Sequence, residues 1–112
     1  MKSTEPLVRN REFRHIYTKG KSKANGYLVL YFVRARDQKN HLGITVSKKL
    51  GNAVKRNRAK RLIREAYRHI EPLLKGGYSI VLVSRSKTVK SGLFEVKNSM
   101  LELFKSQGLL KE

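Results

Sequence analysis

A single α+β domain, an α-β sandwich in the order α-β-β-(β)-α-β-α, is the fold class this sequence predicts. Three observations lead to it. Three segments rich in β-forming residues, 27–35, 42–48 and 78–84, interleave with three segments of helical periodicity, 10–19, 52–74 and 92–107. The chain has 112 residues, the length of one domain, with no internal repeat or low-complexity stretch. Hydrophobic residues make up 39% of it, and a domain of this size buries roughly 65% of its unfolded surface, enough for one core.

Each element has a local reason. Residues 1–8 are expected to form a flexible, extended arm, with Pro6 blocking an early helix. Over 10–19, Asn10 supplies an N-cap and Gly20 a stop, and Phe13, Ile16 and Tyr17 share a face at i, i+3 and i+4. KSKANG follows as a turn or short edge strand. In YLVLYFVRA, residues 27–35, alternation sets Leu28, Leu30 and Phe32 on one side and Tyr27, Val29, Tyr31 and Val33 on the other. A polar turn from Asp37 to Asn40 leads into LGITVSK, residues 42–48, and the two strands are expected to pair as an antiparallel hairpin. Asn52 can cap the long helix, and Pro72 limits it to about residue 71. Its apolar face is Ala59, Leu62, Ile63, Ala66, Tyr67 and Ile70. YSIVLVS, residues 78–84, is apolar on both faces and reads as a buried central strand. RSKTVKSG reads as a basic loop. The last helix turns Leu93, Val96, Met100, Leu103 and Phe104 inward and ends at Gly108. Strand 42–48, the long helix and strand 78–84 make a βαβ unit, right-handed by the general rule.

Charge narrows the function. Lys and Arg total 26 against 8 acids, a net charge of +18, which calls for a polyanionic partner. Between Lys48 and Arg68 there are nine basic residues and one acid, Glu65. Arg58, Lys60, Arg61, Arg64 and Arg68 share the arc opposite the apolar stripe, with Asn57 inside it. Lys55 and Arg56 stand in the first turn, and Lys48 and Lys49 just before the helix. A merely solvated face would mix signs in Glu–Lys pairs; here like charges stack at i, i+3 and i+4 and weaken the isolated helix. A phosphate-binding face accounts for that, and guanidinium forks grip phosphate oxygens better than ammonium groups do. Asn57 offers an amide suited to a base edge, a ribose hydroxyl or a hydrated cation. The turn at Gly51-Asn52 is either a plain turn or a helix N-terminus presented to a phosphate.

Phe13, Tyr17 and Tyr31 form a second group. They are either core aromatics or a groove on which single-stranded nucleotides stack beside basic neighbours. No catalytic residues are expected. His15, His41 and His69 are scattered, acids are few, and no metal-ligand or nucleophile motif occurs. With no cysteine there is no disulfide framework or thiolate site, which fits a reducing, cytoplasmic location. No apolar stretch approaches the ~20 residues of a membrane span, and MKSTEPLVRNREF lacks the apolar core of a signal peptide.

KKLGNAVKRNRAKRLIRE, residues 48–65, with the preceding GITVS, resembles the signature basic helix of the bacterial ribonuclease P protein family. NREFRHIYTKGKSKAN resembles that family's first helix with its paired aromatics, YLVLYFV its strand with the cleft tyrosine, and YSIVLVSR its last strand. The similarity runs over roughly residues 9–106. It implies the small subunit of a ribonucleoprotein endonuclease that removes the 5′ leader of precursor tRNA. By that resemblance the RNA subunit performs the magnesium-dependent hydrolysis, and the protein binds no metal tightly itself, Asn57 touching one at most through water. The basic helix would lie on the catalytic RNA and the aromatic cleft would take the leader. The expected partners are the catalytic RNA and precursor tRNA, with no membrane and no obligate protein partner. The resemblance also implies a left-handed βαβ crossover, against the general rule, in a fold shared with a domain of a ribosomal protein. The competing reading is a small ribosomal or chaperone-like RNA binder without a role in cleavage.

Overall fold

The computed structural model describes residues 3–112. The chain runs β1 (Thr4–Pro6), α1 (Asn10–Lys19), β2 (Lys21–Ala24), β3 (Leu28–Arg34), β4 (Asn40–Thr45), α2 (Ala53–Ile70), β5 (Tyr78–Ser84), α3 (Ser86–Val89) and α4 (Leu93–Ser106). Single 3-10 turns at Lys48–Leu50 and Glu71–Leu73 flank α2.

The strands form one sheet in the order β1-β4-β5-β3-β2. β5 lies parallel to β4 and antiparallel to β3, with Leu42, Ile80 and Phe32 in one row across the three. This corrects the expected hairpin: β3 and β4 are not neighbours. The reason lies in β5. Ile80 and Leu82 are buried on one face and Val81 on the other, and a strand apolar on both faces is stable only between two others with layers above and below. An antiparallel hairpin of β3 and β4 would have left it an edge.

On one face, α2 and α4 cover Leu28, Leu30, Phe32, Leu42, Ile80 and Leu82. α2 contributes Ile63, Ala66, Tyr67 and Ile70, and α4 contributes Val96, Met100, Leu103 and Phe104. Each fully buried aliphatic side chain contributes about 1.5–3 kcal/mol. Leu62 departs from the expected stripe: it is only half-buried and lies outside this core. Helical geometry places it some 100° from Ile63, at the rim rather than the centre of the face. On the other face α1 lies over the sheet, closed by Ile16, which is 1% exposed, and Val81.

Three smaller expectations are also corrected. Thr4–Pro6, expected in a flexible arm, is an edge strand parallel to β4. Thr4 is buried and its hydroxyl shares a 2.8 Å hydrogen bond with the Tyr67 hydroxyl, which ties the segment to α2. Residues 1–2 of that arm lie outside the described residues. The N-cap of α1 is Arg9 and not Asn10, because the Glu12 carboxylate accepts the amides of Arg9 (2.9 Å) and Val8 (3.3 Å) one residue earlier. The basic loop after β5 contains the short helix α3, held by the Thr88 hydroxyl donating to the Tyr27 carbonyl at 2.7 Å.

Candidate nucleic-acid interface

α2 starts where the sequence places it. The Asn52 side chain accepts the Lys55 amide at 3.0 Å, and Gly51 before it adopts φ 146°, a backbone that disfavours any side chain. Tyr67 fixes the helix to the core. Burial pushes its phenol up to about 12, so it stays neutral and serves as a hydrogen-bonding core residue.

The basic residues divide into two sets. The side chains of Lys55, Asn57, Lys60, Arg61 and Arg64 make no hydrogen bond or ion pair among the described residues, and Lys48 and Lys49 stand exposed on the turn before the helix. These cations are available to an external anion. Arg58 and Arg68 are engaged within the protein. Both terminal nitrogens of Arg58 donate to backbone carbonyls, to Val89 at the end of α3 at 3.0 Å and to Ser91 in the linker to α4 at 3.0 Å. Arg68 forms an ion pair with Glu65, which also faces His69 at 3.4 Å. The Arg68 hydrogen bond holds the Glu65 carboxyl below its usual range. Arg56 turns inward in the first turn, its Nε buried and unpartnered.

The aromatics sit on the opposite face of the sheet. Phe13 lies against Gly43: a β-carbon there would stand 2.4 Å from the Phe13 ring, so only glycine lets the ring settle on β4. The Tyr17 and Tyr31 rings meet edge to face at 4.8 Å, and the Tyr17 hydroxyl lies 3.2 Å from the Thr45 hydroxyl. Tyr17 is 38% exposed, while Phe13 and Tyr31 are half-buried. Beside them Val29, Val83 and Thr45 stand in one half-buried row across β3, β5 and β4. The structure thus brings Phe13, Tyr17 and Tyr31 together on a surface cleft, anchored at the base and open at the edge. Thr45 closes one end of it, and the chain passes from there through Lys48 and Lys49 directly into α2.

One region escaped the sequence reasoning. On the far side of α1 a hollow is lined by Arg11, His15, Arg34, Arg36, Asp37 and His41, among others. His41 binds Asp37 at 2.9 Å and holds its carboxyl below the usual range. Arg34 lies over the Tyr78 ring at 5.1 Å. The i, i+4 spacing of Arg11 and His15 was the only signal in the sequence, since Arg34, Arg36, Asp37 and His41 converge from two strands and the loop between them.

As for metals, Asn57 stands exposed on a face of like charge, and the nearest acid in α2, Glu65, is engaged by Arg68 and His69. This donor set does not fit a tightly held cation. No helix among the described residues is long and apolar enough to cross a membrane.

A family model described as ribonuclease P matches residues 1–108. A ribonuclease P protein component of Clostridium botulinum (strain Loch Maree) is 41% identical over 104 residues, covering 92% of this chain and 94% of that protein. One from Oceanobacillus iheyensis is 40% identical over 112 residues, covering 99% and 93%. Among solved structures, the RNase P protein of Staphylococcus aureus superimposes with a TM-score of 0.85 at 33% identity, over 95% of this chain and 97% of that one. That of Thermotoga maritima gives 0.83 at 33% identity, over 91% and 96%.

Proposed function

The chain belongs to the ribonuclease P protein family, and from that premise we propose that it holds the catalytic RNA with α2 and the single-stranded 5′ leader of precursor tRNA with the cleft under α1. As a ribonuclease P protein component it has the ribonuclease P RNA as its partner. In this reading the RNA subunit carries out the hydrolysis with its own magnesium ions, the protein supplies no catalytic residue, and the complex works in the cytoplasm.

The observation that carries the reading is the continuity of two unlike surfaces. The cleft of Phe13, Tyr17 and Tyr31 leads through Thr45 and the turn Lys48–Leu50 to Lys55 at the N-terminal end of α2, with Arg61 and Arg64 farther along that helix. A leader lying along the cleft meets rings that stack on bases without reading their identity. At its end lies a helix face whose phosphate contacts release counterions. Binding of both RNAs by one rigid domain would fix the leader relative to the RNA subunit, an orientational gain. Lys60, Arg61 and Arg64 would also lower the repulsion between two polyanions brought together, which metal ions must otherwise screen.

The test is single-turnover cleavage of precursor tRNA by the cognate RNA at low magnesium, with and without the protein. Faster cleavage with the protein, fading as magnesium is raised, is the expected result. Equal rates at every magnesium concentration would sink the reading.

A further inference from the structure

Leu62 is out of place for a core residue and for a phosphate-binding one. It is an aliphatic side chain left half-buried beside Ile63, Tyr67 and Ile70, which are sealed, and it borders a shallow basin with Leu93 from α4 and with Arg58, Arg61, Arg64 and Glu65. Each charged member has a definite state. The Arg58 guanidinium is immobilised by the Val89 and Ser91 carbonyls, so its plane is a fixed wall. Glu65 is offset by Arg68 and His69 and repels an incoming anion little. Arg61 and Arg64 have no partner among the described residues. An apolar floor, a fixed guanidinium and two free cations at the rim match the parts of one nucleotide. A base covers aliphatic surface and stacks on a guanidinium plane, while its phosphate takes the free arginines.

We infer that this basin between α2 and α4 receives one unpaired, splayed-out base of the ribonuclease P RNA. The inference rests on the reading of α2 as the face toward that RNA. The RNA subunit, and not the leader, is the occupant because the basin opens on the helix layer of the sandwich, with the whole sheet between it and the cleft under α1. A leader held in that cleft does not reach it. Pairing of the base inside a duplex would keep it from the floor, so the nucleotide must lie in a loop or bulge.

The experiment compares Leu62→Gln, Leu93→Gln and Leu62→Met in binding to the cognate ribonuclease P RNA over a range of salt concentrations, with melting curves for each protein. Glutamine keeps length and helix propensity but removes the apolar floor. Each Gln variant is expected to bind about ten-fold more weakly, at the low end of what base stacking contributes, and by the same factor at every salt concentration, since no phosphate contact is lost. Leu62→Met is expected to bind like the wild type. Dimethyl sulfate probing of the RNA should show one unpaired base protected by the wild-type protein and by Leu62→Met, and reactive again with either Gln variant. Gln variants that melt normally, bind within two-fold of wild type and leave base reactivity unchanged would overturn the inference. So would a Gln variant whose weaker binding is accompanied by a shallower salt dependence, because the floor would then act only by holding the arginines. Failure of the wild-type protein to bind the RNA would strike at the functional reading itself, a different outcome from either.

Discussion

In the proposed reading, the cleft under α1 and the outer face of α2 would meet RNA by opposite means. In the cleft almost every group is fixed: Phe13 rests on Gly43, Tyr17 on Tyr31 and Thr45, and Ile16 is sealed beneath them. On α2 the side chains of Lys55, Lys60, Arg61 and Arg64 have no partner among the described residues. A preordered aromatic surface loses little entropy on binding and acts over the range of a contact. A face of free charges acts at the range of the Debye length, ~8 Å in physiological salt, and weakens as salt rises. One region supplies position and the other attraction. Within α2 the same contrast recurs between Arg58, held by two carbonyls, and Arg61, held by none.

The largest expected effect removes both regions together. Ile63 is fully buried between α2 and the sheet, so Ile63→Asp places a carboxylate where no partner waits. The domain, with ~5–15 kcal/mol of stability in all, should lose its cooperative melt and all RNA binding. A normal melt would show the helix faces are misassigned.

Phe13→Ala addresses the cleft alone. Precursor tRNA with a leader of several nucleotides should bind roughly ten-fold or more weakly, from a stacking contribution of about 1–3 kcal/mol. Leaderless tRNA should bind as before, and the salt dependence should hold. Equal losses for both ligands, tracking a lower melting temperature, would make Phe13 a core residue and erase the contrast.

Arg61→Gln with Arg64→Gln addresses attraction. The slope of log affinity against log salt for the catalytic RNA should become shallower by about one to two units, with the melting curve unchanged. An unchanged slope would mean that this face meets only solvent. Arg58→Lys sharpens the same point. Lysine keeps the charge but lacks the planar fork whose two nitrogens fit the Val89 and Ser91 carbonyls, so the salt slope should stay and the melting temperature fall slightly, with faster amide exchange over residues 86–92. A shallower slope with no loss of protection would return Arg58 to the phosphate-binding set.

The smallest effect is a pH dependence remote from RNA. Burial pushes the Tyr67 phenol up to about 12 in the folded protein, from an ordinary value of about 10. Its contribution to stability is complete below pH 10 and is lost as pH rises toward 12. Wild-type protein should therefore lose more stability over that interval than Tyr67→Phe, which cannot ionise, and parallel losses would refute it.

Local patterns in the sequence were enough to place α1, β3, α2, β5 and α4, whose periodicities are strong, and to put Phe13, Tyr17 and Tyr31 on one side of the sheet and the cations of α2 on the other. What was missed depends on partners distant in the chain. Thr4 looks like arm until its hydroxyl shares a hydrogen bond with that of Tyr67, 63 residues on. Arg58 sits on the basic arc of any helical wheel, and only the fold brings the Val89 and Ser91 carbonyls to it. The hairpin of β3 and β4 was the nearest pairing in sequence, but β5 had the stronger claim on both strands.

That central place of β5 sets a timetable for the nascent chain. During synthesis the N-terminal segments leave the ribosome first, with β2 able to pair with β3 and β1 with β4. Neither pair can join the other until residues 78–84 emerge, at roughly 5–20 residues per second. Until then two small strand pairs expose apolar faces and open edges, the kind of intermediate most given to aggregation. The sheet becomes a single unit only once β5 is in place between β4 and β3. A message cut short before codon 84 would yield basic fragments without a sheet to order them.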